Sequence, residues 1–133
     1  MKVLVDTSVW SLALRRKTVS EKEDVISNLS QLIKDTMVVM IGPVRQELLS
    51  GISDEAVFLK LKTTLEQYDD LPISTLDYET AANFNNICRR NGIQGSHTDF
   101  LICAVAVNNA LLIFTDDEDF AHYAQHLPIR LLS

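Results

Sequence analysis

Four acidic side chains from four separate parts of this sequence are placed where carboxylates can do chemistry. Asp6 follows the apolar run Lys2-Val-Leu-Val, and Asp116 and Asp117 follow Leu111-Leu-Ile-Phe-Thr115. Glu47 lies one turn into a helical segment opened by Pro43, and Asp99 precedes the apolar segment Phe100–Val107. Each has an ordinary explanation: Asp6 and Asp99 as helix caps, Glu47 on a solvated face, and Asp116, Asp117 and Asp119 as an acidic turn. Gathered together they are costly, because crowded carboxylates beside buried elements must be protonated or bridged by a cation. Oxygen donors without a thiolate or a well-placed imidazole select Mg²⁺ or Mn²⁺. Such a cluster, with no glycine-rich cradle for phosphate, points to metal-assisted phosphoryl chemistry on an incoming phosphodiester.

The elements that must position these acids can be read from periodicity and from start and stop signals. Lys2–Asp6 reads as a buried strand, after which Asp6, Thr7 and Ser8 offer N-cap chemistry for a helix over Val9–Leu14. Ser20 and Glu23 fit a capping box for a helix reaching about Asp35, and Met37–Ile41 is a second strand. Gly42 breaks it, Pro43 opens a helix, and Gly51 closes it. Ser53 is the expected cap of the next helix, running to about Tyr68, and Leu71–Leu76 holds a weak strand whose Pro72 suits a sheet edge. Asp77–Asn91 reads as a helix stopped by Gly92. Ser96-His-Thr-Asp99 is another capping box, opening a helix apolar on all sides and therefore buried. Leu111–Thr115 is a strand, Asp119–Gln125 a short helix, and Ile129–Leu132 a last strand.

Apolar strands alternating with helices predict an α/β three-layer domain with a parallel sheet covered on both faces, one domain over residues 1–133. Ligands of such sheets bind outside the carboxyl ends of the strands, where Asp6, Asp116 and Asp117 fall. Glu47 leaves that same edge. The helix after Asp99 turns tightly at Asn108-Asn109-Ala110 into the strand at Leu111, so the two run antiparallel. Eleven residues of helix rise about 16 Å, and five of strand about as much. Asp99 is then level with Asp116 and Asp117. Alternation puts Asp117 on the side of Thr115 and Asp116 opposite. The Thr115 hydroxyl is thus expected to hold the Asp117 carboxylate, with Asp119 only capping the helix that Phe120 anchors.

Composition narrows the function. The 12 Lys plus Arg against 18 Asp plus Glu give a net charge of −6, whereas a protein whose whole surface grips nucleic acid is normally basic. An enzyme whose carboxylates gather at a metal is compatible with that balance. Arg15, Arg16, Lys17 and Arg45 flank the first two acids and could track a phosphate backbone. Cys88 and Cys103 form no C-x-x-C and read as buried thiols of a reduced, cytoplasmic protein. His122 and His126 have zinc-like spacing but no cysteine pair beside them, and His97 reads as filler in a capping box. Asp6 interrupts any signal-like start. The longest uncharged run, Phe100–Thr115, is sixteen residues, short of the ~20 that span a bilayer, so no membrane partner is expected. Val9, Trp10, Ala13 and Leu14 share a helical stripe, which suits the core; an exposed part of it would suit an amphipathic partner helix.

Four segments together resemble a known family. Val3-Leu-Val-Asp6-Thr-Ser8, Arg45-Gln-Glu47-Leu-Leu-Ser-Gly51, Thr98-Asp99-Phe-Leu-Ile-Cys-Ala104 and Thr115-Asp-Asp117-Glu-Asp119-Phe120 are similar, in order and spacing, to the signature segments of PIN-domain nucleases. The length and the E-L-L-S-G segment are similar to VapC-type toxins of toxin–antitoxin pairs. The resemblance implies a central five-stranded parallel sheet flanked by helices and a Mg²⁺-dependent endoribonuclease, with Mn²⁺ as substitute. It implies Asp6, Glu47, Asp99 and Asp117 as catalytic, metal-holding acids. Thr7, Ser8 and Thr115 match the hydroxyls that orient them, and Asp116 departs from the uncharged or basic residue common at that place. It also implies an RNA substrate, a VapB-type antitoxin and a homodimer.

Other classes meet specific obstacles. A phospho-receiver domain needs an acidic pair after strand one, where Thr7 follows Asp6, and a lysine after the last strand, where Arg130 is the nearest cation. A D-x-D phosphatase has Ser8 at its second acid. A non-catalytic PIN-like RNA-binding module is the alternative that an assay must separate, since all four acids are present.

Overall fold

The computed structural model describes residues 1–14 and 22–132. The helix start expected at Ser20, and the cations Arg15, Arg16 and Lys17, lie outside the described residues. A parallel sheet of strands β1 (Val3–Val5), β2 (Val38–Val39) and β3 (Leu112–Phe114) has the order β2-β1-β3. The central strand pairs Leu4 with Val39 on one side and with Ile113 on the other, and its three residues are buried. A strand covered on both faces must be apolar throughout, and Val-Leu-Val is. Asp6 therefore leaves the middle of the sheet at its carboxyl edge.

The helices among the described residues are α1 (Thr7–Leu14), α2 (Glu23–Lys34), α3 (Gly42–Leu49), α4 (Glu55–Leu65), α5 (Thr75–Arg90), α6 (His97–Asn108) and α7 (Asp119–Ala124). None is long and apolar enough to cross a membrane. Six of the twelve residues of α6 are buried, and it packs against α5 and β3. The one-turn reversal from α6 into β3 places Ala110 at φ 54°, a left-handed conformation that costs a residue with a Cβ roughly 1–2 kcal/mol. It is closed by the Leu111 N–H donating to the Ala106 carbonyl at 2.8 Å. Helix and strand thus run antiparallel, as the spacing requires.

Several expectations need correction. The five-stranded sheet is a three-stranded ladder with one isolated parallel bridge at each edge, Met40 to Asp70 and Ile113 to Leu131. The strand expected over Leu71–Leu76 is reduced to the bridge at Asp70, beside which the Leu71 N–H donates to the Met40 carbonyl at 2.8 Å, because α5 begins already at Thr75. The last strand, over Ile129–Leu132, is reduced to the bridge at Leu131. Asp54, not Ser53, caps α4, accepting the Val57 N–H at 3.0 Å, and α4 ends at Leu65. Ser74 caps α5 in a full capping box with Asp77, so the helix starts at Thr75, two residues before the expected start. Asp77 is a buried acid that sequence reading had placed merely at a helix start; the Asn108 side-chain amide donates to it at 2.8 Å and ties α6 to α5.

One core contains Trp10, which is 3% exposed, so the tryptophan belongs to the interior and meets the edge of Tyr68 at 5.1 Å. Both cysteines are buried and free, and burial pushes both thiols above their ordinary pKa. Leu14, at the end of the same stripe as Trp10, is exposed.

Candidate active site

Sheet register builds the first part of the site. Val5 pairs with Phe114, so Asp6 and Thr115 are the next residues on adjacent parallel strands, and the Asp6 N–H donates to the Phe114 carbonyl at 2.8 Å. The Thr115 hydroxyl donates to Asp6 Oδ2 at 2.8 Å, and Ser8 Oγ, from the first turn of α1, donates to the same oxygen at 2.7 Å. Each hydroxyl also accepts a backbone N–H of the loop after β3: Ser8 from Asp116 at 2.9 Å and Thr115 from Asp117 at 3.0 Å. Asp6 itself is 4% exposed. A buried polar group needs hydrogen-bond partners, and two hydroxyls supply them while fastening the acidic loop to the edge of β1.

This alters one expectation. Thr115 does not hold the Asp117 carboxylate; its proton goes to Asp6 and its oxygen takes the Asp117 amide. The separation of the two neighbouring acids is nevertheless present. The Asp116 carboxylate accepts from Lys22 Nζ at 3.1 Å, whereas Asp117 comes together with Asp99.

Carboxylate oxygens of Asp99, Asp117 and Asp119 lie within 4.8 Å of one another. Asp119, expected only to cap α7, belongs to this group, and its N–H donates to Asp117 Oδ1 at 2.9 Å. Asp6 and Glu47 are not in the close group. Asp6, buried at the end of β1, is near enough for its charge to act on Asp99. Glu47, exposed on α3, is tied to α1 by the Thr7 hydroxyl at 2.6 Å.

Asp99 is half-buried at the third position of α6. Ser96 caps that helix by accepting the Asp99 N–H at 3.0 Å, but the Asp99 carboxylate does not close the expected box. It accepts instead from the Tyr123 hydroxyl at 2.7 Å. Burial raises the Asp99 carboxyl above its ordinary pKa. The Tyr123 hydroxyl pulls it down, Asp6 pushes it up again, and Ser96 and Asp117 add smaller opposing effects, leaving a net rise. The charged form of Asp99 is thus short of positive compensation. The salt bridges among the described residues, Lys22–Asp116, Arg45–Asp70 and Lys62–Glu66, bring no cation to Asp99, Asp117 or Asp119.

The donor set therefore fits a hard divalent ion: three carboxylates with oxygens in reach of one centre, no thiolate, and no histidine among the groupings of the described residues. His97, His122 and His126 are all exposed. Arg45 is a structural residue, not a free cation for RNA: it donates from Nε to Asp70 at 3.0 Å, to the Leu65 carbonyl at 2.9 Å and to the Tyr68 carbonyl. Tyr123 and Lys22 escaped sequence reasoning, as did Gly95, beside Tyr123. No spacing connects Tyr123 to Asp99 or Lys22 to Asp116, because both contacts are made between distant elements.

Solved structures share this architecture. FitAcB from Neisseria gonorrhoeae superposes with a TM-score of 0.78 at 22% identity, over 98% of this chain and 96% of that one. VapBC2 from Rickettsia felis, solved bound to a DNA fragment from its promoter, gives 0.77 at 17% identity, over 100% and 98%. VapBC-5 from Mycobacterium tuberculosis, a member of the VapBC family of toxin-antitoxin systems, gives 0.70 at 21% identity, over 99% and 98%. No curated protein matches the chain. The family model of the PIN domain matches residues 3–125, taking in β1 and every acid described above, and on that match this chain belongs to the PIN domain family.

Proposed function

We propose that this chain is a divalent-metal-dependent endoribonuclease of VapC type, the toxin of a toxin–antitoxin pair. The observation that carries the reading is the meeting of Asp99, Asp117 and Asp119 at the carboxyl edge of the sheet, with the charge of Asp6 bearing on Asp99. Asp6, Glu47, Asp99 and Asp117 are the acids assigned to Mg²⁺ or Mn²⁺, with Asp119 added by its place in the group. A bound ion supplies acidification of water and neutralisation of charge on phosphate oxygens.

The rest is work of the chain itself. Ser8 and Thr115 fix the orientation of the Asp6 carboxylate by donating to its Oδ2. The same two hydroxyls hold the Asp116 and Asp117 amides, so the acidic loop cannot drift from the strand edge. Thr7 keeps Glu47 turned toward α1. No histidine is needed as a base, and the exposed ones are not assigned that role.

The partner we assign is a VapB-type antitoxin, since the structural neighbours include toxin–antitoxin complexes. An apolar groove between α1, α3 and α4, floored by Leu48 and Leu61 and walled by Leu14 and Val57, suits an amphipathic helix of that partner. A homodimer and a cytoplasmic location complete the reading, from the family resemblance.

The test is cleavage of RNA by the purified chain with Mg²⁺, with Mn²⁺ and with EDTA, beside Asp99→Asn. The reading expects metal-dependent cleavage that Asp99→Asn loses. RNA retained without cleavage under any metal would instead identify a non-catalytic RNA-binding module.

A further inference from the structure

We infer that Tyr123 is the positioning residue that turns Asp99 toward the ion, and that Gly95 is the residue whose missing side chain lets it do so. The inference rests on the metal reading above and concerns two residues to which that reading gives no part.

The molecule contains its own comparison. Asp77 and Asp99 both occupy the third position of a helix capped by serine. In α5 the Asp77 carboxylate closes the box, accepting the Ser74 N–H at 2.9 Å. In α6 the same local sequence logic favours the same closure, and the backbone half of the box is made, at 3.0 Å. The Asp99 carboxylate nevertheless leaves the helix end and accepts from Tyr123 at 2.7 Å. Asp77 meets its cross-helix donor, the Asn108 amide, through Oδ1 and keeps Oδ2 on the Ser74 N–H, whereas at Asp99 the donor is the Tyr123 phenol and the box stays open. An O–H···O⁻ bond of this length is among the stronger hydrogen bonds. One oxygen of the carboxylate so held lies within 4.8 Å of an oxygen of Asp117 and of Asp119, where a cation would be shared.

Tyr123 can act as a fixed arm because its ring is packed into the core. The side chain is fully buried, with Phe100 at 5.1 Å and Phe120 at 5.2 Å between ring centres. Gly95 completes the mount. A Cβ there would fall 2.8 Å from Tyr123 Cζ and 2.8 Å from Phe100 Cζ, and closer still to the Tyr123 hydroxyl. Neither ring is the loose end of a flexible chain, so any side chain at 95 displaces the phenol. A tyrosine serving only the core would need its ring and any acceptor; one serving Asp99 needs this geometry.

Calorimetric titration of Mn²⁺ into wild type, Tyr123→Phe, Gly95→Ala and Asp99→Asn, without RNA, decides the matter, with melting points in EDTA measured alongside. Groups that orient a metal ligand typically change affinity 10–100-fold when removed. Tyr123→Phe, which keeps the ring, is expected to raise the Mn²⁺ dissociation constant at least tenfold while retaining the near-ultraviolet dichroism of the fold. Its RNA cleavage is expected to recover toward wild type at saturating Mn²⁺. Gly95→Ala is expected to weaken Mn²⁺ similarly although the phenol is still present. If Tyr123→Phe fails to fold, an unchanged Mn²⁺ constant for Gly95→Ala overturns the inference. A lower melting point for Tyr123→Phe with an unchanged constant means a purely structural tyrosine and also overturns it. Wild type that binds no Mn²⁺ removes the metal reading, and this inference with it.

Discussion

The Thr115 hydroxyl donates to Asp6 Oδ2 at 2.8 Å and accepts the Asp117 amide at 3.0 Å, so one side chain joins the end of β1 to the loop after β3. Removing it leaves a buried carboxylate with one donor fewer. Thr115→Val, nearly the same shape, is expected to lose about 1–3 kcal/mol of stability and most RNA cleavage. Thr115→Ser, which keeps the hydroxyl, should retain most of both. Chemical denaturation and a cleavage assay on the two variants check this, and equal behaviour would show that the hydroxyl is dispensable.

Stability in EDTA should carry the signature of Asp99. Its carboxyl is raised in the folded state, chiefly by burial. Folding is therefore favoured by protonated Asp99, a contribution fully present below the unfolded pKa and lost as pH rises through the folded one. The gap in melting temperature between Asp99→Asn and wild type should open in favour of the variant as pH climbs from the ordinary carboxylate range toward neutrality. Mn²⁺ should close or reverse it by stabilising wild type alone, by about 2.7 kcal/mol at 100 times its dissociation constant. A gap that does not vary with pH would contradict the assignment.

Asp77 gives the opposite slope. Burial acts to raise its carboxyl, but donors from Asn108 and Ser74 outweigh this and hold it below the ordinary range. That contribution is present above the unfolded pKa and is lost as pH falls through the folded one. Asn108→Ala is expected to destabilise by about 1–3 kcal/mol at neutral pH and by less in acid, without changing the Mn²⁺ constant. Melts of wild type and variant across the acid range measure it.

The acidic loop separates three neighbours. Asp117→Asn is expected to lose most cleavage at fixed Mg²⁺, and Asp116→Asn, whose carboxylate meets Lys22, to keep most of it. Asp119→Asn should weaken Mn²⁺ as well as α7, because its carboxylate belongs to the close group. Loss of cleavage in Asp116→Asn with retention in Asp117→Asn would exchange their roles.

What was legible in the sequence was what local chemistry determines. Val3–Val5 could only be a buried strand, and α6, apolar on every side, only a buried helix. From these and the tight turn at Asn109, the level of Asp99 with Asp117 follows by length alone. The edge strands were harder. Nothing near Leu71 or Ile129 distinguishes a ladder from a single bridge, which depends on where α5 begins and how the C-terminal segment meets Ile113. Side-chain partners across the fold were the least legible. Thr115 was singled out for the right loop and the wrong acceptor, since strand parity gives a side but not a rotamer. Asp119 looked like a cap because helix-start statistics favour acids there. Tyr123 left no signal at all, because its bond to Asp99 spans two helices that only the tertiary structure brings together.

The central claim, that the acids at the carboxyl edge hold a divalent ion on which RNA cleavage depends, is tested most directly by one paired titration. Mn²⁺ is added to the same preparation while binding is followed by calorimetry and cleavage of a labelled RNA is followed in parallel. The account predicts that the two curves rise together in wild type and that Asp99→Asn shows neither. Cleavage that persists in EDTA, or that Asp99→Asn retains in full, would contradict it.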